Sequence, residues 1–287
     1  PSPAGPARGR PRGRPPCALS FISSATVQLH ESNASLLLDF ELGGRKMPGL
    51  RFGVNVEPKH KGLLFTLIPE NPVILFKKFS FMNGKNKLFL RDDLRLFAEV
   101  DMMEDRSVGF KMQSSLTDTL SKQNMNVELR RLNLEELVNL FPFLPDLNGF
   151  VSAESHYVQT DETLQLSADI FIDSLMYEKR GVGDFSLGAT WIPISPVEDL
   201  VNMYMSHNRV DVLSADGMIT SQGDERLLDI QADLAHFPIS IADVIFPNEE
   251  IDLSGDLDGQ IHITGTASAP KFNGRLVLDS VSIYAKQ

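Results

Sequence analysis

The stretch DLSGDLDGQIHITGTASAPKFNGRLVLDS, Asp252 to Ser280, decides the fold. Successive side chains of a strand point to opposite faces. Asp252, Ser254, Asp256 and Asp258 alternate with Leu253 and Leu257, and a second alternating run follows a Gly265-Thr266…Pro270…Gly274 turn. The acids are therefore the wet side of a strand and the leucines its dry side. A calcium loop is the competing reading, but it needs glycine at the sixth position and glutamate at the twelfth. Counted from Asp252 these are Leu257 and Ile263, so the match fails.

The same period-two pattern runs through most of the chain. One face of 35–42 carries Leu36, Leu38, Phe40 and Leu42, and 50–56 carries Leu50, Phe52, Val54 and Val56. Leu94, Leu96, Ala98, Val100 and Met102 form another such face, as do Phe185, Leu187, Ala189 and Trp191, and Leu228, Ile230, Ala232 and Leu234. Strands with one wet and one dry face belong to antiparallel sheets. Turns are expected at 43–49, 83–86, 215–217 and 221–225. Three segments show helical spacing instead: 133–141, 195–205 and 240–246. In the second, Ser195 would cap, Pro196 suits the first turn and Glu198 follows three residues after Ser195.

An internal repeat links two of these regions. Residues 147–178 lie over 253–284 without gaps at an offset of 106, placing Leu147 on Leu253, Gly149 on Gly255, Ile170 on Leu276 and Asp173-Ser174 on Asp279-Ser280. Upstream, one residue out of step, Leu129 meets Leu234 and Phe141-Pro142 meets Phe246-Pro247. The repeated module is strand, short helix, then a strand pair, a design by which a sheet is extended.

The 287 residues are 42% hydrophobic and 23% charged, a globular composition. Residues 1–17 form a basic Pro/Arg/Gly arm, read as disordered. Setting aside its four Arg leaves 23 basic against 38 acidic residues, a balance that disfavours nucleic acid and anionic membrane surfaces. The single cysteine, Cys17, rules out an intrachain disulfide. No uncharged run reaches the ~18 apolar residues of a membrane span, and no signal peptide is visible. A chain that starts at Pro1 and ends on the strand-like VSIYAKQ is expected to be an internal piece, with any membrane anchor upstream. The divisions expected after the arm are a groove segment at 18–122, a repeat with short helices at 123–225, and its second copy at 226–287.

Nothing in the sequence carries catalysis. The six histidines are scattered, and His156 and His262 occupy equivalent wet-face positions. No nucleophile elbow, phosphate loop, zinc motif or cofactor fingerprint appears. The expectation is no catalytic, metal or cofactor site, and not an enzyme.

The stretches LNLEELVNLFPFLPDLNGFVSAE (132–154) and FPNEEIDLSGDLDGQIHITGTASAPKFNGRLVLDSVSI (246–283) resemble the TamB family of AsmA-like proteins, in a style similar to versions from the Bacteroidota. The family pattern of alternating leucine and glycine, then Gly-Thr…Pro, falls on Leu253, Gly255, Leu257, Gly259, Ile261, Ile263, Gly265, Thr266, Pro270, Phe272, Gly274, Leu276 and Leu278. The first copy departs from it, with Ala153, Gln159, Leu164 and Ala168 at the second glycine, third glycine, proline and last glycine positions.

The resemblance implies an all-β fold: a long curled antiparallel sheet forming an open, taco-like groove with an apolar lining and a few short amphipathic helices. It implies a periplasmic bridge, anchored in the inner membrane and meeting an Omp85-type, TamA-like partner through regions absent here. The implied work is phospholipid transport between membranes, support of outer-membrane protein assembly, or both. The expected lining is Leu94, Leu96, Val100, Val127, Leu129, Val151, Tyr157, Leu166, Ile170, Ile172, Phe185, Leu187, Ile230, Leu257, Ile261, Ile263, Leu276 and Leu278, in contact with phospholipid acyl chains. A structural or adhesive β-solenoid without lipid is the alternative, although solenoid coils recur at ~20–30 residues. A scaffold adding client strands to its sheet edge and a soluble hydrolase are further alternatives.

Overall fold

The computed structural model describes residues 21–29, 34–41, 49–74, 76–105, 107–118, 120–140, 146–178, 180–241 and 251–285. The basic arm, the body of the turn at 43–49 and most of the segment at 240–246 lie outside them. The described chain is almost entirely strand. The elements are β1 (Phe21–Leu29), β2 (Ala34–Glu41), β3 (Leu50–Lys59), β4 (Gly62–Ile74), β5 (Lys77–Lys78), β6 (Ser80–Arg91), β7 (Leu96–Met103), β8 (Gly109–Ser114) and β9 (Gln123–Asn133). A short helix, α1 (Leu134–Leu140), precedes β10 (Leu147–Gln159), β11 (Leu164–Tyr177), β12 (Arg180–Ser195) and β13 (Glu198–His207). The chain ends on β14 (Val210–Gln222), β15 (Glu225–Pro238), β16 (Ile251–Thr266) and β17 (Ala269–Ala285).

All strands belong to one antiparallel sheet, an up-and-down meander. Each strand pairs with its successor, except that β4 pairs both with the two-residue β5 and with β6. Among the described residues β1 pairs only with β2 and β17 only with β16, so the sheet is open rather than a closed barrel. Tight turns build it. Between β13 and β14, Asn208 and Arg209 sit at φ 50 and 68, the left-handed pair whose twist matches that of the flanking strands.

Four sequence expectations are corrected. Residues 195–205 are not a helix: Pro196 and Val197 form a turn and Glu198–His207 is β13, paired on both sides. Residues 215–217 are not a turn but the middle of β14. Asn83 and Gly84, at φ 53 and 67, do not end a strand; the chain bulges there while β6 continues to Arg91. Leu94 is not in a strand: it lies in the turn before β7 at φ 66, 74% exposed. The helix expected at 133–141 is present as α1, started by Asn133 Oδ1 accepting from Glu135 N at 2.9 Å.

The repeat is structural as well as sequential. Its irregularities recur at matching positions: Gly149 and Gly255 at φ 133 and 122, Ser174 and Ser280 at φ 53 and 51, Arg131 and His236 at φ 45 and 50. Each marks a register shift in the ladder. Bulges bend a strand and raise its twist, so both copies turn the sheet in the same way.

The sheet bends over its dry face. Ile239 N donates to Gly255 O of β16 at 2.9 Å. Two residues on, Ile241 is buried among side chains of β11, β12 and β13. On a flat sheet β16 lies about 19 Å from β12 at ~4.8 Å per strand, whereas two residues reach at most ~7 Å. Curvature closes that gap, with the dry face inside.

Candidate functional site: an apolar groove

Directly paired residues share a face, so the ladder register traces the groove across the sheet. One row runs Leu129, Ala153, Ile170, Leu187, Met205, Leu213, Leu234, Gly259 and Leu276. Another runs Tyr157, Leu166, Trp191, Val201, Gly217, Ile230, Ile263 and Phe272. Between them lies a row of mainly small residues: Ser155, Ala168, Ala189, Met203, Ala215, Ala232, Ile261 and Gly274. The outcome is a shallow furrow perpendicular to the strands. Toward the N-terminal half it continues through Phe110 and Met112, then Val100 and Met102, then Leu88 opposite Ala98, and Phe65 with Val56.

Seventeen of the expected lining residues fall on this one face. Leu96 pairs with Leu90, Val127 with Met112, Val151 with Ile172, and Leu257 with Phe237 and Leu278. Val100 is 4% exposed, whereas Leu276 and Leu278 on β17 are 46% and 63% exposed. Leu94 alone departs, for the turn geometry given above. Sequence reading missed Val201, Met203 and Met205, whose spacing suits a helix as well as a strand. It also missed Phe110, Met112 and Ile241.

The groove has a polar and an apolar margin. At one lip, Leu134 of α1 and Leu147 pack on Leu175, Tyr177 and Val182, together with Ile172 and Phe185. Close by, Ile170, Ile172, Leu175, Val182, Phe185, Leu187, Met205 and Ile241 line a cleft of about 240 Å³ that no polar atom faces. His207 marks its edge, stacked on Phe185 with ring centroids 4.7 Å apart and Nε2 2.7 Å from Val182 O. At the opposite lip, Trp191 forms part of a cleft of about 210 Å³ with Asp199, Ser221 and Arg226. The Arg226 guanidinium lies 5.6 Å from the Trp191 ring centroid.

The other face is wet. His156 Nε2 lies 3.1 Å from Asn124 Oδ1, and His262 Nε2 2.6 Å from Asp229 Oδ1. Arg130 holds Glu128 by two hydrogen bonds of 2.5 and 2.8 Å, which keeps the Glu128 carboxyl below its ordinary pKa. A polar cleft of about 310 Å³ on this face mixes Lys111, Glu128, Glu154, His156 and Asp169. Among the described residues no three His, Cys, Asp or Glu side chains gather as a metal set, and no helix is long and apolar enough to cross a membrane.

The chain matches no family model, no curated protein and no solved structure. The fold by itself defines a class: an all-β protein whose single open sheet presents one continuous apolar face.

Proposed function

We propose that the protein is a segment of a TamB-like bridge whose apolar groove conducts phospholipids between inner and outer membranes. The observation that carries this reading is the unbroken passage of apolar rows from strand to strand. An acyl chain asks for no hydrogen-bond partner, only dry surface, and burial at ~25 cal/mol per Å² holds it without a shaped pocket. The polar lip at Trp191 and Arg226 leaves headgroups in contact with water. On this reading the protein is not an enzyme and takes no cofactor. Its periplasmic location, inner-membrane anchor and Omp85-type partner rest on the sequence resemblance.

Photo-crosslinking residues at Ile170 and Leu276, with Asp169 and Arg275 as wet-face controls, test the proposal in cells making the protein. Phospholipid adducts are expected at the first pair and not at the second. Equal labelling on both faces would falsify the conduit. A second reading, support of outer-membrane protein assembly, draws on the same apolar face: Phe272, Leu276 and Leu278 of β17 are exposed and suit the apolar side chains of an unfolded client as well as an acyl chain. It expects protein adducts in place of lipid at Leu278.

A further inference from the structure

We propose that the cleft over β11–β13 is a discrete subsite for one alkyl chain, and that Ile241 is the residue that sets its specificity. The inference rests on the lipid reading above and adds a station to what would otherwise be a uniform slide. On β17 the dry face is a floor without a roof: Leu276 and Phe272, on the same rows, are 46% and 68% exposed. Over Ile170, Leu187 and Met205 the situation differs, because Ile241 comes in from the β15–β16 connection and is only 7% exposed. An alkyl chain there touches side chains on two sides rather than one.

The chemistry of the lining selects the ligand. No polar atom faces the roughly 240 Å³ cleft. A cavity of ~150 Å³ with a comparable Leu, Ile and Phe lining stays dry and takes apolar molecules. A headgroup brought here would lose its hydration with nothing in exchange, so only the hydrocarbon end of a lipid fits. Ile241 is the movable term in that fit. It belongs to a connection rather than to the ladder, so changing it alters the roof while leaving strand pairing intact.

The test is equilibrium binding of cis-parinarate, a fluorescent unbranched fatty acid, to the whole chain. Ile241→Trp fills the cleft, and Ile241→Ser places a hydroxyl in it. Arg275→Trp adds the same bulk on the wet face, outside the groove. Unfolding midpoints are measured for all three. Both Ile241 variants are expected to weaken binding at least about tenfold, and Arg275→Trp by less than about twofold. Wild-type protein that binds no parinarate overturns the lipid reading and the subsite together. Wild-type binding with unchanged Ile241 variants, or with Arg275→Trp weakened equally, overturns the subsite and leaves the groove reading standing.

Discussion

Tyr204 covers Gly188. The two residues are directly paired across β12 and β13, and a Cβ on Gly188 would run into the phenol ring. The ring crosses β12 and its hydroxyl donates to Asp169 Oδ1 on β11 at 2.9 Å. One side chain thus ties three strands together on the wet face, across a glycine that has nothing of its own to pair.

The hydrogen bond to the Asp169 carboxylate, with burial second, holds the Tyr204 phenol above its ordinary pKa. A raised pKa means the protonated donor is favoured in the fold. Its contribution is complete below the unfolded value of ~10 and fades as pH rises through the folded value. Ultraviolet titration should show Tyr204 ionising late, and Tyr204→Phe should remove that late contribution. Gly188→Val displaces the ring and should act in the same direction, with about 1 kcal/mol of stability lost in urea unfolding. Unchanged titration in Tyr204→Phe would assign the late tyrosine elsewhere.

Gly259 and Ala153 are equivalent in the repeat yet not interchangeable. Gly259 sits at φ 143, where a Cβ would run into the Arg275 carbonyl of β17. Gly259→Ala is expected to cost about 1–3 kcal/mol, as strained backbone positions do. Ala153→Gly strains nothing and should cost only about 0.5–1 kcal/mol through added chain entropy. Equal losses in denaturant melts would mean that the two copies have the same backbone at this point.

Much of this architecture was legible because the periodicity is a direct record of burial. Ile170, Leu187 and Ile230 stand out against Asp169, Ser186 and Asp229 in the sequence, and the ladder sets them on opposite faces. The failure at 195–205 has a physical cause. Leu200, Val201, Tyr204 and Met205 satisfy helical spacing, but in β13 Val201 and Met205 face the groove while Leu200 and Tyr204 point outward, 37% and 41% exposed. Strand pairing on both sides overrode a local capping signal, and the wet face tolerated two large side chains. Leu94 misled for the opposite reason: its parity was right, but the strand begins two residues later. Ile241 lies in a segment of helical spacing, but its place over the groove had no readable signal, since its partners lie far away in sequence and meet it only through the curvature of the sheet.

Ser114 closes a ladder that its strand is too short to finish. The β7–β8 pairing stops at Glu99 and Gln113. Beyond it, Ser114 Oγ accepts from Ala98 N at 2.9 Å and donates to Leu96 O at 3.2 Å, buried at 5% exposure. Ser114→Ala leaves the Ala98 N–H without that acceptor, and a buried unpaired amide costs about 1–3 kcal/mol. Amide exchange at Ala98 should accelerate in that variant. Ser114→Thr keeps the oxygen and should retain most of the protection. If both variants exchange at the wild-type rate, the hydroxyl has no part in the ladder.

Lys77 fastens α1 to the sheet. Its Nζ lies 3.1 Å from Glu104 Oε2, just after β7, and 3.2 Å from Glu136 Oε1 on the helix. Burial pulls the ammonium pKa down, but the hydrogen bonds and charges of the two glutamates outweigh it, and the pKa ends above its ordinary value. The stabilising contribution is therefore whole below the unfolded value of ~10.4 and is lost as pH climbs through the folded one. Lys77→Met keeps the aliphatic stem and removes the charge, leaving Glu104 and Glu136 unneutralised against each other. Hydrogen exchange in Leu134–Leu140 should quicken, while exchange in β11 and β12 should not. Because Leu134 packs beside Ile172 and Phe185, a loosened helix also widens the groove at that lip. On the proposed lipid reading, adducts at Ile172 should then rise in Lys77→Met, and a double variant with Glu136→Met should bring them back toward wild type by removing the repulsion. Unaltered exchange in the helix would show that apolar packing alone holds it in place.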